Sequence, residues 1–321
     1  MRILIIGAGV LGSLYGSRCR AAGHAVVMLA RGQRLSDLRL RGLMLEDAVT
    51  GQRTFAPVDV VETLAADDPY DWVIVPVRLT ELQAVLPLLA ANKATPNILF
   101  MVCNPSGPDE MVAALGRDRV LAGYAGAGGV HMGPVIRYTQ VSPLLQRTVV
   151  GELDGRITPR LKAIRRAFRE AGFPTALSSN IDAWLKTHVA WVSPFAQALY
   201  REDGDILQLA ASAETVRLMV RAVREGFRSI RALGIPPTGP LWVRSQARLP
   251  EAVLVRIWRA ALRTQMARIS MAGHANAARE EMIQVADRFQ ALVAKAGLPS
   301  PALDRLRGPE GPASPGPQRS R

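Results

Sequence analysis

The chain has 321 residues, 49% of them hydrophobic and 21% charged, with a formal net charge of +13 at pH 7. That length gives room for two domains, each with a core of its own, and that balance excludes a disordered chain. No run of about 18 apolar residues is free of charges and of Gly or Pro breaks, which excludes a transmembrane helix.

The first residues enter a strand pattern at once, without the separate basic, apolar and cleavage regions of a signal peptide. The two cysteines, Cys19 and Cys103, make neither a disulfide framework nor a metal-ligand spacing. A reduced, cytoplasmic protein with no metal site is therefore expected. The basic residues are almost all arginine and are spread along the chain, many at helix-surface spacing, as in Arg160, Lys162, Arg165, Arg166 and Arg169. This pattern reads as a solvated basic surface that attracts an anionic cofactor, not as a nucleic-acid site.

In chain order, residues 2–6 (RILII) read as a buried strand ended by Gly7. Residues 10–22 read as a helix closed by Gly23, and 24–29 as a second strand. Residues 71–77 (DWVIVPV) form another buried strand, 79–91 a helix and 97–102 (NILFMV) a further strand. Alternation on this scale predicts a mostly parallel sheet covered on both faces. Residues 149–151 read as the end of that sheet. Beyond Pro159 the pattern is helical, over 159–171, 180–200, 212–233, 238–248, 251–270 and 275–296. The fold class is thus an α/β Rossmann N-terminal domain followed by an all-α C-terminal domain. The division expected is 1–178 for the nucleotide-binding domain, 179–307 for a helical substrate domain, and 308–321 for a disordered Pro/Gly/Ser-rich tail.

Gly7-Ala8-Gly9-Val10-Leu11-Gly12 matches the G-x-G-x-x-G fingerprint, with a strand before it and a helix after it. Gly7 permits the tight turn, Gly9 the approach of a pyrophosphate, and Gly12 close helix–strand packing. The helix N-terminus offers free N–H groups to the phosphates. The second strand runs out at Leu29-Ala30-Arg31-Gly32-Gln33-Arg34. A cation thus stands where NAD sites usually place Asp or Glu. Arg31, with Arg34 as a second contact, suits the 2′-phosphate of NADP(H). Read blandly, Arg31 is one surface arginine among many.

Only four lysines occur, Lys93, Lys162, Lys186 and Lys295. Three sit among polar or small surface-type residues. Lys186 lies in the apolar segment Ile181-Asp182-Ala183-Trp184-Leu185-Lys186-Thr187-His188-Val189-Ala190-Trp191-Val192. It is either a snorkelling structural lysine or a general acid, a role that partial burial favours.

At this point the sequence resembles the ketopantoate reductase (2-dehydropantoate 2-reductase) family over roughly residues 1–307. The resemblance rests on GAGVLG, Arg31, Asn104 after a strand, Trp184-Leu185-Lys186, and Glu281 followed by Ala296-Gly297-Leu298-Pro299-Ser300-Pro301. It implies reduction of a 2-oxo acid by NADPH, with Lys186 as general acid and Glu281 binding substrate and orienting Lys186. It further implies that Asn104 contacts cofactor and substrate, that Arg78 stands for a family lysine near the cofactor, and that Ser270 binds the substrate carboxylate. The sequence also departs from the family. Family asparagines after the lysine are replaced by Ala190 and Ser193, the Asn-Gly pair becomes Asn104-Pro105, and Glu281-Met282-Ile283-Gln284 lacks an aspartate. His188 and Gln197 lie nearby as candidate replacements, although a plain core or helix-surface histidine is the simpler reading of His188.

The resemblance therefore implies pantoate formation. The alternatives are reduction of a different, less polar ketone or imine, and a nucleotide-binding protein with little redox turnover. The partner is a small carbonyl compound, with no nucleic acid and no membrane. A homodimer through the C-terminal helices is an option for which Trp242 and Trp258 are the candidate contacts, beside their reading as core residues.

Overall fold

In a computed structural model the described residues are 1–308. The expected tail, 308–321, lies outside them but for Gly308. The chain runs β1 (Arg2–Ile6), α1 (Val10–Ala21), β2 (Ala25–Leu29), α2 (Gly32–Arg41), β3 (Leu43–Asp47), β4 (Arg53–Ala56), β5 (Asp59–Val61), β6 (Trp72–Val75), α3 (Leu82–Ala91), β7 (Ile98–Phe100) and α4 (Asp109–Leu115). It continues with β8 (Val120–Tyr124), β9 (Ala127–Met132), β10 (Val135–Gln140), β11 (Thr148–Glu152), α5 (Pro159–Glu170) and β12 (Thr175–Leu177). The helical part comprises α6 (Ile181–Arg201), α7 (Ile206–Ala211), α8 (Ala213–Ala232), α9 (Leu241–Ser245), α10 (Glu251–Ala261), a π-helical segment (Ala267–Ala272), α11 (Gly273–Ala277), α12 (Arg279–Ala294) and α13 (Pro301–Arg307).

Eight strands form one sheet in the order β12-β11-β8-β7-β6-β1-β2-β5. Every neighbouring pair is parallel except β8 with β11. Strand alternation divides the apolar residues between two faces. Leu4, Ile6, Val27, Leu29, Val73 and Val75 point into a core shared with the helical part. Ile3, Ile5, Val26, Met28, Trp72 and Ile74 point into a second core under α1 and α5. The apolar runs that read as buried strands are therefore buried on both sides, as a parallel sheet requires.

Two features of the sheets differ from the sequence reading. A second sheet, β4-β3-β10-β9, brings together segments roughly ninety residues apart, β3 and β10 pairing in parallel. The large sheet also does not end at residues 149–151: β11 pairs antiparallel with β8 and carries β12 on its other edge. Strand β12 thus falls between the expected helices 159–171 and 180–200, within the stretch 1–178 expected for the nucleotide-binding domain.

Helix α6 is the axis of the C-terminal part. The Asn180 side chain caps it, accepting from the Ala183 N–H at 2.9 Å. Its inner face covers β8 and β11, and its other side packs on α8 and α12. The α6–α8–α12 approach is close because residue 226 is glycine. A Cβ there would stand 2.9 Å from the Phe289 ring and 3.4 Å from the Ala190 methyl. The single helix expected over 251–270 is interrupted after Ala261 and resumes as the π-helical segment, a widening of the turn that often accompanies a lined site.

Candidate active site

The carboxyl ends of β1, β2, β6 and β7 lie side by side and deliver Gly7, Arg31, Arg78 and Asn104 to one edge of the sheet. Strand order reverses between β1 and β6, and in open α/β sheets ligands bind outside the strand ends at such a point. At the first turn Gly7 has φ +106°, which only glycine adopts without strain. A Cβ on Gly12 would fall 1.9 Å from the Gly7 carbonyl oxygen, whereas one on Gly9 would meet nothing within 4 Å. The loop Gly7-Ala8-Gly9-Val10-Leu11-Gly12 is therefore tight within and open above Gly9, over the N–H groups of α1. That shape fits a pyrophosphate.

Arg34 braces this loop. Its Nε donates to the Ala8 carbonyl at 3.0 Å and its Nη2 to Ser13 Oγ at 2.8 Å. Arg31 is exposed at the N-cap of α2, just past β2. Arg78 is exposed after β6 and donates to the Ala277 carbonyl at 3.0 Å, tying the strand end to the helical part. The positive field of Arg34 and Arg78, together with burial, lowers the pKa of His131 on β9; burial is the larger cause.

Asn104 is buried, 2% exposed, and fully engaged. Its amide donates to the Gly107 carbonyl at 3.0 Å and to Glu110 at 2.8 Å, while its oxygen accepts from the Ser106 N–H and from Arg288. Arg288 also bonds Glu110 at 2.7 Å. This network fixes the turn after β7. The Lys186 amine lies over the same turn: a Cβ on Gly107 would be 3.7 Å from its Nζ. The Lys186 side chain is 11% exposed and pairs with Asp182, one helical turn earlier, at 2.5 Å.

The resemblance gives the orienting of Lys186 to Glu281, but the structure pairs the amine with Asp182. Glu281 instead accepts from the Leu79 N–H at 3.0 Å and so holds the segment beside Arg78. Its second oxygen is buried with no hydrogen-bond partner among the described residues. Burial raises the Glu281 pKa, against the lowering effect of the Leu79 N–H and Arg78.

Ser270, on the π-helical segment, donates to the Met266 carbonyl at 2.7 Å and packs on Gly128 of β9. Ser193 is buried on α6. Ala190 faces Gly226 and Phe289 inside the helical core, so the position carries packing and offers no polar group to a ligand.

A cavity of about 300 Å³ lies between β8–β9 and the helical part, lined from α6, α9, α10 and the π-helical segment. Its walls include Trp191, Trp242 and Trp258, whose rings stand 5.4–6.1 Å apart. Trp242 and Trp258, the sequence candidates for a contact between copies, thus form a wall of this cavity. His188 also lines it, between the Tyr124 ring at 4.0 Å and the Trp184 ring at 5.2 Å. Burial pushes the pKa of His188 down to about 3 and that of His274, another lining residue, down to about 4. Both are neutral at pH 7. Sequence reasoning missed this constellation because its members come from five separate segments. Asp182 was legible, since an acid four residues before a lysine on a helix is a ready ion pair.

Residues 3–155 match the model of the family described as ketopantoate reductase PanE/ApbA. Over 240 residues the chain is 27% identical to the 2-dehydropantoate 2-reductase of Archaeoglobus fulgidus, covering 72% of this chain and 74% of that one. The chain is thus similar to the ketopantoate reductase family. Solved structures agree at the level of the fold. The 2-dehydropantoate 2-reductase of Methylococcus capsulatus superposes with a TM-score of 0.73 at 22% identity, covering 95% of this chain and 94% of that one. A ternary structure of D-mandelate dehydrogenase with NADH and anilino(oxo)acetate superposes with a TM-score of 0.75 at 15% identity, covering 95% and 96%.

The matched family and the named relatives are reductases, which supports an oxidoreductase. The sequence reading expects family asparagines to be replaced by Ala190 and Ser193, and the structure gives Ala190 a packing role. Ala190 has become part of the α6–α8 packing, and the space further along α6 is walled by aromatic rings. No helix among the described residues is long and apolar enough to cross a membrane. No group of three His, Cys, Asp or Glu side chains among them is placed to hold a metal.

Proposed function

We propose that the protein is an NADPH-dependent reductase of a 2-oxo acid, with Lys186 as the general acid and 2-dehydropantoate, by family resemblance, as the first substrate to test. The observation that carries this reading is the position of the Lys186 amine. It is nearly buried over the Gly107 turn, at the same strand-end edge as the glycine loop, Arg78 and Asn104. In this reading residues 1–178 hold the nucleotide and residues 179–307 complete the substrate site.

NADPH, when bound, supplies a hydride to the substrate carbonyl carbon. The chain's own residues do the rest. The glycine loop and the start of α1 hold the pyrophosphate, Arg34 keeps that loop in shape, and Arg31 pairs with the 2′-phosphate. Asp182 fixes the direction of the Lys186 amine, which gives its proton to the carbonyl oxygen as the alcohol forms. Glu281 and Ser270 offer polar atoms to the substrate, and Asn104 holds the turn beneath Lys186.

The test is NADPH oxidation over a panel of 2-oxo acids. Lys186→Met is expected to lower kcat by about 10²–10⁴ with NADPH affinity unchanged. Equal turnover by wild type and Lys186→Met would remove the general-acid role. Tight NADPH binding with no oxidation on any carbonyl would leave nucleotide capture as the function.

A further inference from the structure

We propose that the tryptophan-walled cavity takes the bulky, uncharged side of the substrate, so that this protein acts on 2-oxo acids bearing an aromatic or large apolar group. The inference rests on the reductase reading for the oxo acid itself, while the cavity stands on its own geometry.

The first argument is size and wall chemistry. An apolar cavity of roughly 150 Å³ already accommodates a benzene ring. This one is about twice that volume. No Asp, Glu, Lys or Arg is among its lining residues, and both lining histidines are neutral. A charged or hydroxyl-rich group would lose its water here with little in return. An aromatic face would find rings on several sides, in the tilted and edge-on arrangements that ring pairs favour.

The second argument is the set of polar atoms left over. Trp191 Nε1, Gln246 Nε2 and His188 Nε2 belong to lining residues, are buried, and have no hydrogen-bond partner among the described residues. The Gln246 oxygen is already taken, accepting from Trp258 Nε1 at 3.0 Å. What remains is mostly donors, Trp191 and the Gln246 amide, around an apolar space. Buried donors call for an acceptor, and the π face of an aromatic group is one that an N–H can meet without bringing a charge into the cavity.

The third argument is position. Ala127 and Ser270 line the cavity, Gly128 packs on Ser270, and a Cβ on the next residue, Gly129, would lie 3.1 Å from Val10 Cγ1 of the glycine loop. The inner end of the cavity thus adjoins the turn assigned to the nucleotide. At the outer side, Trp242 Nε1 donates to the Leu145 carbonyl at 2.8 Å and draws α9 onto the segment before β11.

The test is calorimetric titration of the full chain saturated with NADP⁺, in which no turnover occurs, using phenylpyruvate, pyruvate and 2-dehydropantoate. Phenylpyruvate is expected to bind about tenfold tighter or more than either of the others, the scale set by a few buried carbons. Filling the space with Ala261→Phe should weaken phenylpyruvate about tenfold or more and leave pyruvate and NADP⁺ within about twofold. Val192→Phe gives the same readout from α6 should the first variant not fold. Phenylpyruvate binding no tighter than pyruvate, or indifference to both filled variants, overturns the inference. Failure of NADP⁺ to bind would count against the reductase reading alone. Phenylpyruvate titrated into the nucleotide-free chain, blocked by Ala261→Phe, would then still support the cavity assignment. Faster NADPH oxidation with 2-dehydropantoate than with phenylpyruvate would uphold the reductase reading and overturn this one.

Discussion

Arg31 and His188 carry the two sharpest tests at the scale of single residues. Arg31 is exposed at the end of β2 and holds its backbone without side-chain help, so Arg31→Ala should leave stability unchanged. Loss of a charge-assisted contact of about 1.5–3 kcal/mol should weaken NADPH about 10- to 100-fold while NADH is unaffected. Titration with both nucleotides reads this, and equal losses for the two would refute the 2′-phosphate contact. His188 is tested through acid stability. Its pKa is about 3 when folded against 6.5 for the free side chain, because burial disfavours the charged form. Between those values the unfolded chain binds the extra proton. The stabilising effect is therefore complete above pH 6.5 and is lost as pH falls toward 3. Each such group gives a slope of about 1.4 kcal/mol per pH unit. His188→Phe keeps a ring against Tyr124 and removes one share of that slope. Urea unfolding at pH 5, 6 and 7 should show a flatter decline for the variant than for wild type. Parallel declines would mean that His188 is not the neutral buried group described.

The glycine loop shows at the scale of elements how sequence becomes both fold and site. Gly12 and Gly9 are three residues apart and do opposite work. Gly12→Ala would drive a methyl into the Gly7 carbonyl and separate α1 from β1, a backbone clash that should cost on the order of 4 kcal/mol. Gly9 has φ −76° and open space above it. Gly9→Ala should therefore fold within about 1 kcal/mol of wild type yet weaken the nucleotide about tenfold or more, since the methyl occupies the approach to the helix N-terminus. Denaturation and nucleotide titration on the two variants separate the roles. If Gly9→Ala bound NADPH normally, the loop would not be the pyrophosphate site. This element was legible because its signal is local: strand, turn and helix in eleven residues. The second sheet was not, because β3 and β4 are short, β4 is largely exposed, β9 is glycine-bearing, and the pairing of β3 with β10 crosses some ninety residues. The 251–270 stretch misled in another way. Its apolar spacing suits a helix throughout, while the break after Ala261 and the π-helical turns follow from packing on β9, which no periodicity records. The site divides along the same line. Gly7 to Gly12, Arg31 and Lys186 stand out in sequence, whereas the tryptophan wall is assembled from distant segments that individually read as core.

Across the whole molecule, charge is the property that the individual contacts do not explain. The net +13 is spread over the surface, and many arginines are engaged locally, as in Arg2–Asp68, Arg160–Glu152, Arg221–Glu251 and Arg288–Glu110. Surface pairs of this kind add little stability and cancel some of the charge, but an excess of arginine remains unmatched. Its physical consequence is a long-range positive field, strongest where Arg31, Arg34 and Arg78 gather at the strand ends. Such a field acts on the arrival of an anion more than on its residence. Screening shortens from about 30 Å at 0.01 M salt to about 8 Å at 0.15 M. NADPH association, followed by stopped-flow tryptophan fluorescence, should therefore slow about tenfold over that range while dissociation changes little. NADH carries one phosphate fewer and should slow less. Double-stranded DNA, which needs a stripe of phosphate contacts and not a focus, should bind at physiological salt no better than the roughly 10⁻⁴–10⁻⁶ M of non-specific association. Salt-independent association of NADPH, or a tight duplex complex, would mean that the excess charge serves a different partner.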